Sequence, residues 1–239
     1  MKLLIGCPVK NRAWILNEWF DHIYSSCDYA NIEPQFCFIL GHSSDRTDTI
    51  IKNRVSSFGF TERTKTIEAE LPKGIDRSWS IERIESMVSA RNQLLQFVRL
   101  LQPEYFLSLD SDILASKYLV SNLLETMSTH QLKPDAVGGR CYMTRWNSCS
   151  SYGKIAEDVD FKRGSDFEGL CQVNVIMAIK IMNEKAYNID YSFHQQGEDI
   201  AWSKNCRNAG LKLMWDGRTI SKHVLEKDML EVVDERVGF

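Results

Sequence analysis

Short apolar runs alternate with longer amphipathic stretches along the first part of the chain. "KLLIGCPV" is a continuous apolar run broken by Pro8, the pattern of a buried strand entering a loop. In "AWILNEWFDHIYSS", Trp14, Ile15, Trp19, Ile23 and Tyr24 recur at helical spacing. "QFCFIL" reads as a second buried strand, and "GHSSDRTDTIIKNRV" as a loop followed by a helix, with Ser43, Ser44 and Asp45 suited to cap it.

The longest periodic stretch is "SIERIESMVSARNQLLQFVRLL". Ile81, Ile84, Met87, Val88, Leu94, Leu95, Val98 and Leu101 form one apolar stripe, which predicts a long helix against the core. "EYFLSL" then predicts a third buried strand, "KYLVSNLLETMSTH" a helix and "DAVGGRCYM" another strand. From about residue 144 the pattern loosens into the polar stretch "TRWNSCSSYGKIAEDVDFKRGSDFEG", which reads as an active-site loop or an irregular insertion. "LCQVNVIMAIKI" resumes strand character, "GEDIAWSKNCRNAG" predicts a helix closed by Gly210, and "LKLMWDGRTISKHV" a final strand or hairpin. Strands alternating with helices predict an α/β fold, a mostly parallel central sheet flanked by helices. No repeat, linker or break divides it.

Composition changes this picture little. With 239 residues, 44% hydrophobic and 26% charged, the chain matches a soluble globular domain. Its net charge of −3 provides no global field for nucleic acid or anionic lipid. Seven scattered cysteines without a C-x-x-C pair predict reduced thiols and a cytoplasmic protein. The apolar start is too short for a signal peptide, and no stretch predicts a transmembrane segment.

Candidate chemistry gathers at element ends. In "LSLDSDI", Asp110 and Asp112 share one side if extended structure continues through them. Two such carboxylates repel unless a cation neutralises them, and a small set of oxygen ligands suits Mg²⁺ or Mn²⁺. The plainer alternative is one capping aspartate and one solvated acid. Glu198 and Asp199 in "GED" are either first-turn acids stabilised by the helix dipole or a carboxylate base facing a cleft. Arg91 in "SARN" lies on the apolar stripe of its helix and needs a partner, either a core carboxylate or a carboxylate or phosphate in a site. Lys10 and Arg12 follow the first strand, where α/β sheets bind ligands, and are suited to phosphate or to solvent. A lone late histidine, His223, is ordinarily structural.

The order of these signals is more specific than any one of them. A Pro-containing loop, the "SSDRTDT" loop, an "SARN" helix, "LDSD", a "GED" helix and a distal histidine together resemble the GT-A fold of nucleotide-sugar glycosyltransferases, especially the family-2 type. The segment "IESMVSARNQLLQFVRLLQPEYFLSLDSDI" is also similar to part of the fungal mannan-polymerase subunits. The likeness runs from residue 3 to about 224 and weakens between 144 and 168.

This resemblance implies a single domain over 1–239, with a donor half to about 140 and an acceptor half from about 141. It implies a metal-dependent, inverting hexosyltransferase that uses a nucleotide-sugar donor, UDP-sugar favoured over GDP-sugar, with Mn²⁺ or Mg²⁺ as cofactor. By the same likeness Asp110, Asp112 and His223 hold the metal. Pro8, Lys10, Asn11, Arg12, Asp45, Arg91, Asp110 and Ser111 line the donor. Asp199 acts as base beside Glu198. The acceptor is a glycan or a hydroxymethylated DNA base, and Trp146, Tyr152 and Phe161 fall where acceptors enter.

Gly41-His42-Ser43-Ser44 stands where many family-2 enzymes carry an acidic pair. Two rival readings are a sugar nucleotidyltransferase, whose Gly-rich, Arg-containing signature "CPVKNRAW" does not supply, and a non-catalytic nucleotide-sugar-binding protein. A dehalogenase-like phosphatase also uses D-x-D, but near its N-terminus.

Overall fold

The first apolar run forms β1 (Leu3–Val9), buried along almost its whole length because it pairs on both sides, parallel to β2 (Gln35–Gly41) and to β4 (Tyr105–Leu109). Pro8 is accommodated because the pairing with β4 stops at Gly6, so the missing N–H faces no ladder partner there. Gly6 itself is dictated by packing: a Cβ there would run into the Cys37 carbonyl and the Leu94 side chain. The computed structural model describes residues 1–59, 64–69, 80–143, 148–149 and 169–231.

One continuous sheet runs β3-β2-β1-β4-β9-β6-β10-β5, with β3 (Thr64–Ala69), β5 (Ile113–Leu114), β6 (Ala136–Met143), β9 (Ile179–Met182) and β10 (Leu213–His223). Two further strands pair off this path, β7 (Ser148–Cys149) with β6 and β8 (Leu170–Gln172) with β10. Strands β1, β2, β3, β4, β6 and β10 share one direction, while β9 is antiparallel to both of its neighbours. The expected mostly parallel sheet is therefore present. The stretch "LCQVNVIMAIKI" divides into two strands, β8 and β9, that serve different partners.

Helices cover both faces. On one side α1 (Leu16–Tyr29) packs on α2 (Thr47–Ser57) and α4 (Leu119–Thr129). Their shared core includes Trp19 and Phe20, which meet Phe36 and Phe38 edge to face at 5.8–6.3 Å. On the other side α3 (Ile81–Leu101) packs on α5 (Glu184–Tyr187) and α6 (Glu198–Asn208).

The α3 N-terminus is capped by Ser80, whose hydroxyl accepts from the Arg83 N–H at 3.2 Å, and Gln102 closes the helix in the left-handed region. The predicted stripe on α3 needs one correction. Ile81 is 60% exposed, because a side chain in the first helical position points back past the helix end into solvent. Gly210, with φ +76°, follows α6 as expected for a left-handed helix stop. Among the described residues six cysteines are free thiols, and burial pushes Cys27, Cys37 and Cys206 up to about 12, so they stay protonated.

Candidate active site

Strand order reverses between β1 and β4, and the carboxyl ends of these neighbours mark the switch point, the place where α/β sheets bind ligands. The loop after β1 supplies Lys10, Asn11 and Arg12. Asn11 adopts φ 52°, and its side chain laces this loop to the one after β2. Its N–H donates to Ser43 Oγ at 3.1 Å, and its Oδ1 accepts from the Ser44 N–H at 2.8 Å. Asp45 completes the clasp: Oδ2 accepts from the Ala13 N–H and Oδ1 from the Thr47 N–H, both at 3.0 Å. Asp45 thus ties the two loops and accepts from the first N–H of α2, while the N-cap position itself falls to Arg46, which makes no side-chain capping bond, and not to the expected Ser43, Ser44 or Asp45.

The D-x-D segment differs from expectation in one respect. Extended structure ends at Leu109, and Asp110 to Ile113 form a turn closed by the Ile113 N–H donating to the Asp110 carbonyl at 3.1 Å. The two carboxylates are therefore displayed by a turn instead of by strand alternation, and each meets its own cation. Trp19 Nε1 and the Ala178 carbonyl fix the Asp110 backbone from either side. Ser111, between the aspartates, is buried.

Asp112 accepts from Arg12 at 3.1 Å and lies 3.5 Å from His223 Nε2. His223 reaches this place because the end of β10 pairs antiparallel with β5, while the Val224 N–H donates to the Asp112 carbonyl at 2.8 Å. Burial works against both charges, yet each stabilises the other. The His223 charge and hydrogen bond, with Arg12, hold Asp112 well below the ordinary carboxylate range. Asp112 in turn pushes His223 up to about 10.

Arg91 is the hub. It is 2% exposed and donates to Asp110 Oδ1 at 2.9 Å, Glu198 Oε1 at 2.8 Å and Ser108 Oγ at 3.2 Å, with Asp199 Oδ1 at 3.9 Å. Burial disfavours its charge, but Asp110, Asp199 and Glu198 together outweigh that penalty and hold the guanidinium protonated. Arg91 thus pairs at once with an acid of α6 and with the first aspartate of the D-x-D. Glu198 and Asp199 open α6 directly after Gly197, whose φ of 121° is a conformation L side chains rarely adopt. Asp199 is buried, taking Lys180 Nζ at 2.6 Å on Oδ1 and the Ala178 N–H at 3.2 Å on Oδ2. Burial would raise its pKa, but Lys180 and then Arg91 keep it below the ordinary value.

The structure thus brings together Arg12, Arg91, Asp110, Ser111, Asp112, Glu198, Asp199 and His223 in one cluster, with Lys10 and Asn11 on the neighbouring loop. Pro8 lies within β1 and shapes that loop's start. Two participants had no place in the sequence-based reading, Lys180 and the Tyr191 ring lying 5.6 Å from the Arg91 guanidinium. A lysine inside the apolar run "VIMAIKIM" was the available signal for the first. Trp146, Tyr152 and Phe161 lie outside the described residues.

Asp110 and Asp112 offer carboxylate oxygens, the donor type that suits Mn²⁺ or Mg²⁺ better than softer metals. Three protein cations converge on these two carboxylates, which marks the place as one that demands positive charge. Among the described residues no group of three or more His, Cys, Asp or Glu side chains is arranged to hold a metal ion, and the two carboxylates are engaged by protein cations.

No protein-family model matches the chain, and no curated protein matches it by sequence. Solved structures do. The mannosyltransferase PcManGT from Pyrobaculum calidifontis, in complex with GDP-Man and Mn²⁺, aligns with TM-score 0.61 and 12% identity over 95% of this chain and 57% of that one. TarS 1-349 from S. aureus gives 0.58 and 11% over 94% and 60%. Glucosyl-3-phosphoglycerate synthase from Mycobacterium tuberculosis, in complex with Mn²⁺, UDP and glucosyl-3-phosphoglycerate, gives 0.55 and 12% over 94% and 72%. The chain spans about three fifths of the first two. The chain has the GT-A fold. Among the described residues no helix is long and apolar enough to cross a membrane.

Proposed function

We propose that this protein is a metal-dependent, inverting glycosyltransferase that moves a hexosyl group from a nucleotide-sugar donor, UDP-sugar before GDP-sugar, to an acceptor hydroxyl on a glycan or a hydroxymethylated DNA base. The observation that carries the reading is the cluster at the β1–β4 switch point, where one buried arginine ties the D-x-D turn to the two acids of the α6 N-terminus. Of the structures sharing the fold, the mannosyltransferase PcManGT was solved with GDP-Man and Mn²⁺, TarS 1-349 with UDP, and glucosyl-3-phosphoglycerate synthase with Mn²⁺ and UDP.

In this reading Asp110 and Asp112, with His223 once it gives up its proton, would hold a divalent cation, which would supply positive charge against the leaving diphosphate. The chain's own residues do the rest. Lys10 and Arg12 face the diphosphate from the β1 loop, and the clasped Asn11, Ser43 and Asp45 form a preorganised wall for the nucleoside. Arg91 fixes the distance between donor and base by holding Asp110 and Glu198 together. The acceptor O–H bond breaks with its proton passing to Asp199, while the oxygen forms a bond to the anomeric carbon. The bond from that carbon to the diphosphate oxygen breaks, its electron pair leaving with the nucleoside diphosphate.

A thermal-shift panel of UDP-, GDP-, ADP- and dTDP-sugars with and without Mn²⁺ tests this. A native-state ligand at 100 times its Kd stabilises by about 2.7 kcal/mol, so a rise in Tm that needs both Mn²⁺ and one nucleotide is expected. No metal-dependent shift with any donor overturns the reading. Binding without release of nucleoside diphosphate leaves a sugar-nucleotide-binding protein.

A further inference from the structure

Lys180 is anomalous. It lies on β9 in the middle of the sheet and is fully buried, with its ammonium 5.7 Å from the Tyr191 ring centre and 5.8 Å from that of Trp202. Among the described residues its one hydrogen-bond partner is Asp199, at 2.6 Å. A buried ion pair is a poor way to stabilise a fold, since apolar side chains of similar volume commonly do as well or better. Its retention beside the candidate site therefore asks for another reason.

We infer that Lys180 is a positioning residue for the transfer reaction, a fixed counter-ion that keeps Asp199 ionised and oriented toward the acceptor. The inference rests on the assignment of Asp199 as the proton acceptor. Geometry supports it: Lys180 takes Oδ1 and the Ala178 N–H takes Oδ2, so the carboxylate is held at both oxygens and each keeps one lone pair. The charged and titratable groups around Asp199 are Lys180 from β9, Arg91 from α3, Glu198 on its own helix, Asp110 at the end of β4 and Tyr191 from the loop before α6. Arg91 divides its donors among Asp110, Glu198 and Ser108, and stands 3.9 Å from Asp199. Lys180 is thus the cation dedicated to this carboxylate. Without it, burial acts on Asp199 against only the more distant Arg91 charge and the Ala178 N–H, which shifts the balance toward the protonated acid, a group that cannot accept a proton.

The test compares Lys180→Met, which keeps the apolar stem, with Lys180→Arg, which keeps the charge. Nucleoside diphosphate release from UDP-glucose with Mn²⁺, water serving as acceptor, is followed across pH. Lys180→Met is expected to lose about 100-fold in kcat, the scale of general-base catalysis, with donor KM unchanged. The acid limb of its rate profile moves to higher pH by about one unit or more. Lys180→Arg keeps the limb in place and has a rate between the two. Wild-type kcat and an unmoved limb in a folded Lys180→Met protein overturn the proposal.

Carboxyl ¹³C NMR of the wild-type protein, with Asp199→Asn identifying the resonance, gives a second readout that needs neither Lys180 variant nor turnover. Asp199 is expected to titrate below the ordinary aspartate range, and titration at or above that range overturns the proposal. If the wild-type protein neither binds nor hydrolyses any donor, the glycosyltransferase reading fails by itself, and the NMR titration still reports whether Lys180 holds the carboxylate ionised.

Discussion

The two carboxylate pairs of the site are built on opposite plans. Asp110 and Asp112 sit in a turn, 28% and 16% exposed at their side chains; Asp112 is met by the partly exposed Arg12 and His223, and Asp110 by the buried Arg91. Glu198 and Asp199 sit at a helix start, 14% and 8% exposed, and Asp199 is met from beneath by a lysine with no exposure at all. Asp112 in the first pair is served by partly exposed cations that an incoming ligand can displace or share. The second is set before any ligand arrives. A metal-diphosphate clamp needs exchangeable partners, while a base needs a fixed protonation state and direction. Arg91 belongs to both, and everything that distinguishes the pairs can be probed through it or around it.

The largest effect is expected from cutting that link. Arg91→Met leaves Asp110 and Glu198 without their shared guanidinium, and breaking a buried pair from one side costs about 3–5 kcal/mol. Urea unfolding should show that loss as a lower midpoint with little change in slope. Arg91→Lys should recover little of it, because one ammonium cannot reach Asp110, Glu198 and Ser108 in the fork geometry that Arg91 uses. A stability near wild type for Arg91→Met would mean the two pairs are independent.

A separation of functions comes next. Asp112→Asn should abolish the Mn²⁺-dependent rise in Tm with donor, and with it transfer. Asp199→Asn should retain that rise while transfer falls about 10²- to 10⁴-fold. The two variants measured side by side give opposite binding results if the plans differ as described. Equal loss of donor binding in both would merge the pairs into one site and remove Asp199 from the base role.

How much of this was readable beforehand follows from the range over which each feature is encoded. β1, α3 and the α6 stop at Gly210 are local patterns, and the periodicity of the chain carried them. The D-x-D turn was misread because two-residue alternation is a property of strands, and strand structure ends one residue before Asp110. Ile81 fits the stripe by spacing, yet a helix end is set by what lies beyond it. The pairing of Lys180 with Asp199 depends on β9 entering antiparallel between β4 and β6, a crossover that no local pattern announces. His223 reached Asp112 through the short β10–β5 pairing, which is equally non-local. The resemblance implied one metal set for Asp112 and His223 from their order along the chain, whereas the 3.5 Å between them is a product of sheet topology.

Acidification should tell the buried pair from the rest of the surface. Asp199 has a pKa lowered by Lys180 and Arg91, so its contribution to stability is complete above the unfolded-state value near 4 and is lost as pH falls through the folded-state value. Asp199→Asn should therefore flatten the stability profile on the acid side of about pH 4, while leaving its shape above pH 5 unchanged. An identical acid limb in the variant would mean that Lys180 does not hold the charge on this carboxylate.

The smallest effect, and the one whose sign matters most, concerns Arg12. Its pairing with Asp112 is partly exposed, 25% against 16%, so Arg12→Ala should cost about 1 kcal/mol of stability or less. The same change removes a positive charge from an oxygen of a metal-binding carboxylate. Mn²⁺ measured alone by calorimetry should bind a few-fold tighter, because a divalent ion no longer shares Asp112 with a guanidinium. Donor binding in the presence of Mn²⁺ should weaken, since the cation that faces the diphosphate is gone. Opposite signs for metal and donor fit a site whose protein cations stand in for, and then yield to, the ligand. If both weaken together, Arg12 is a strut of the Asp112 turn, and the contrast between an exchangeable pair and a fixed one loses its exchangeable half.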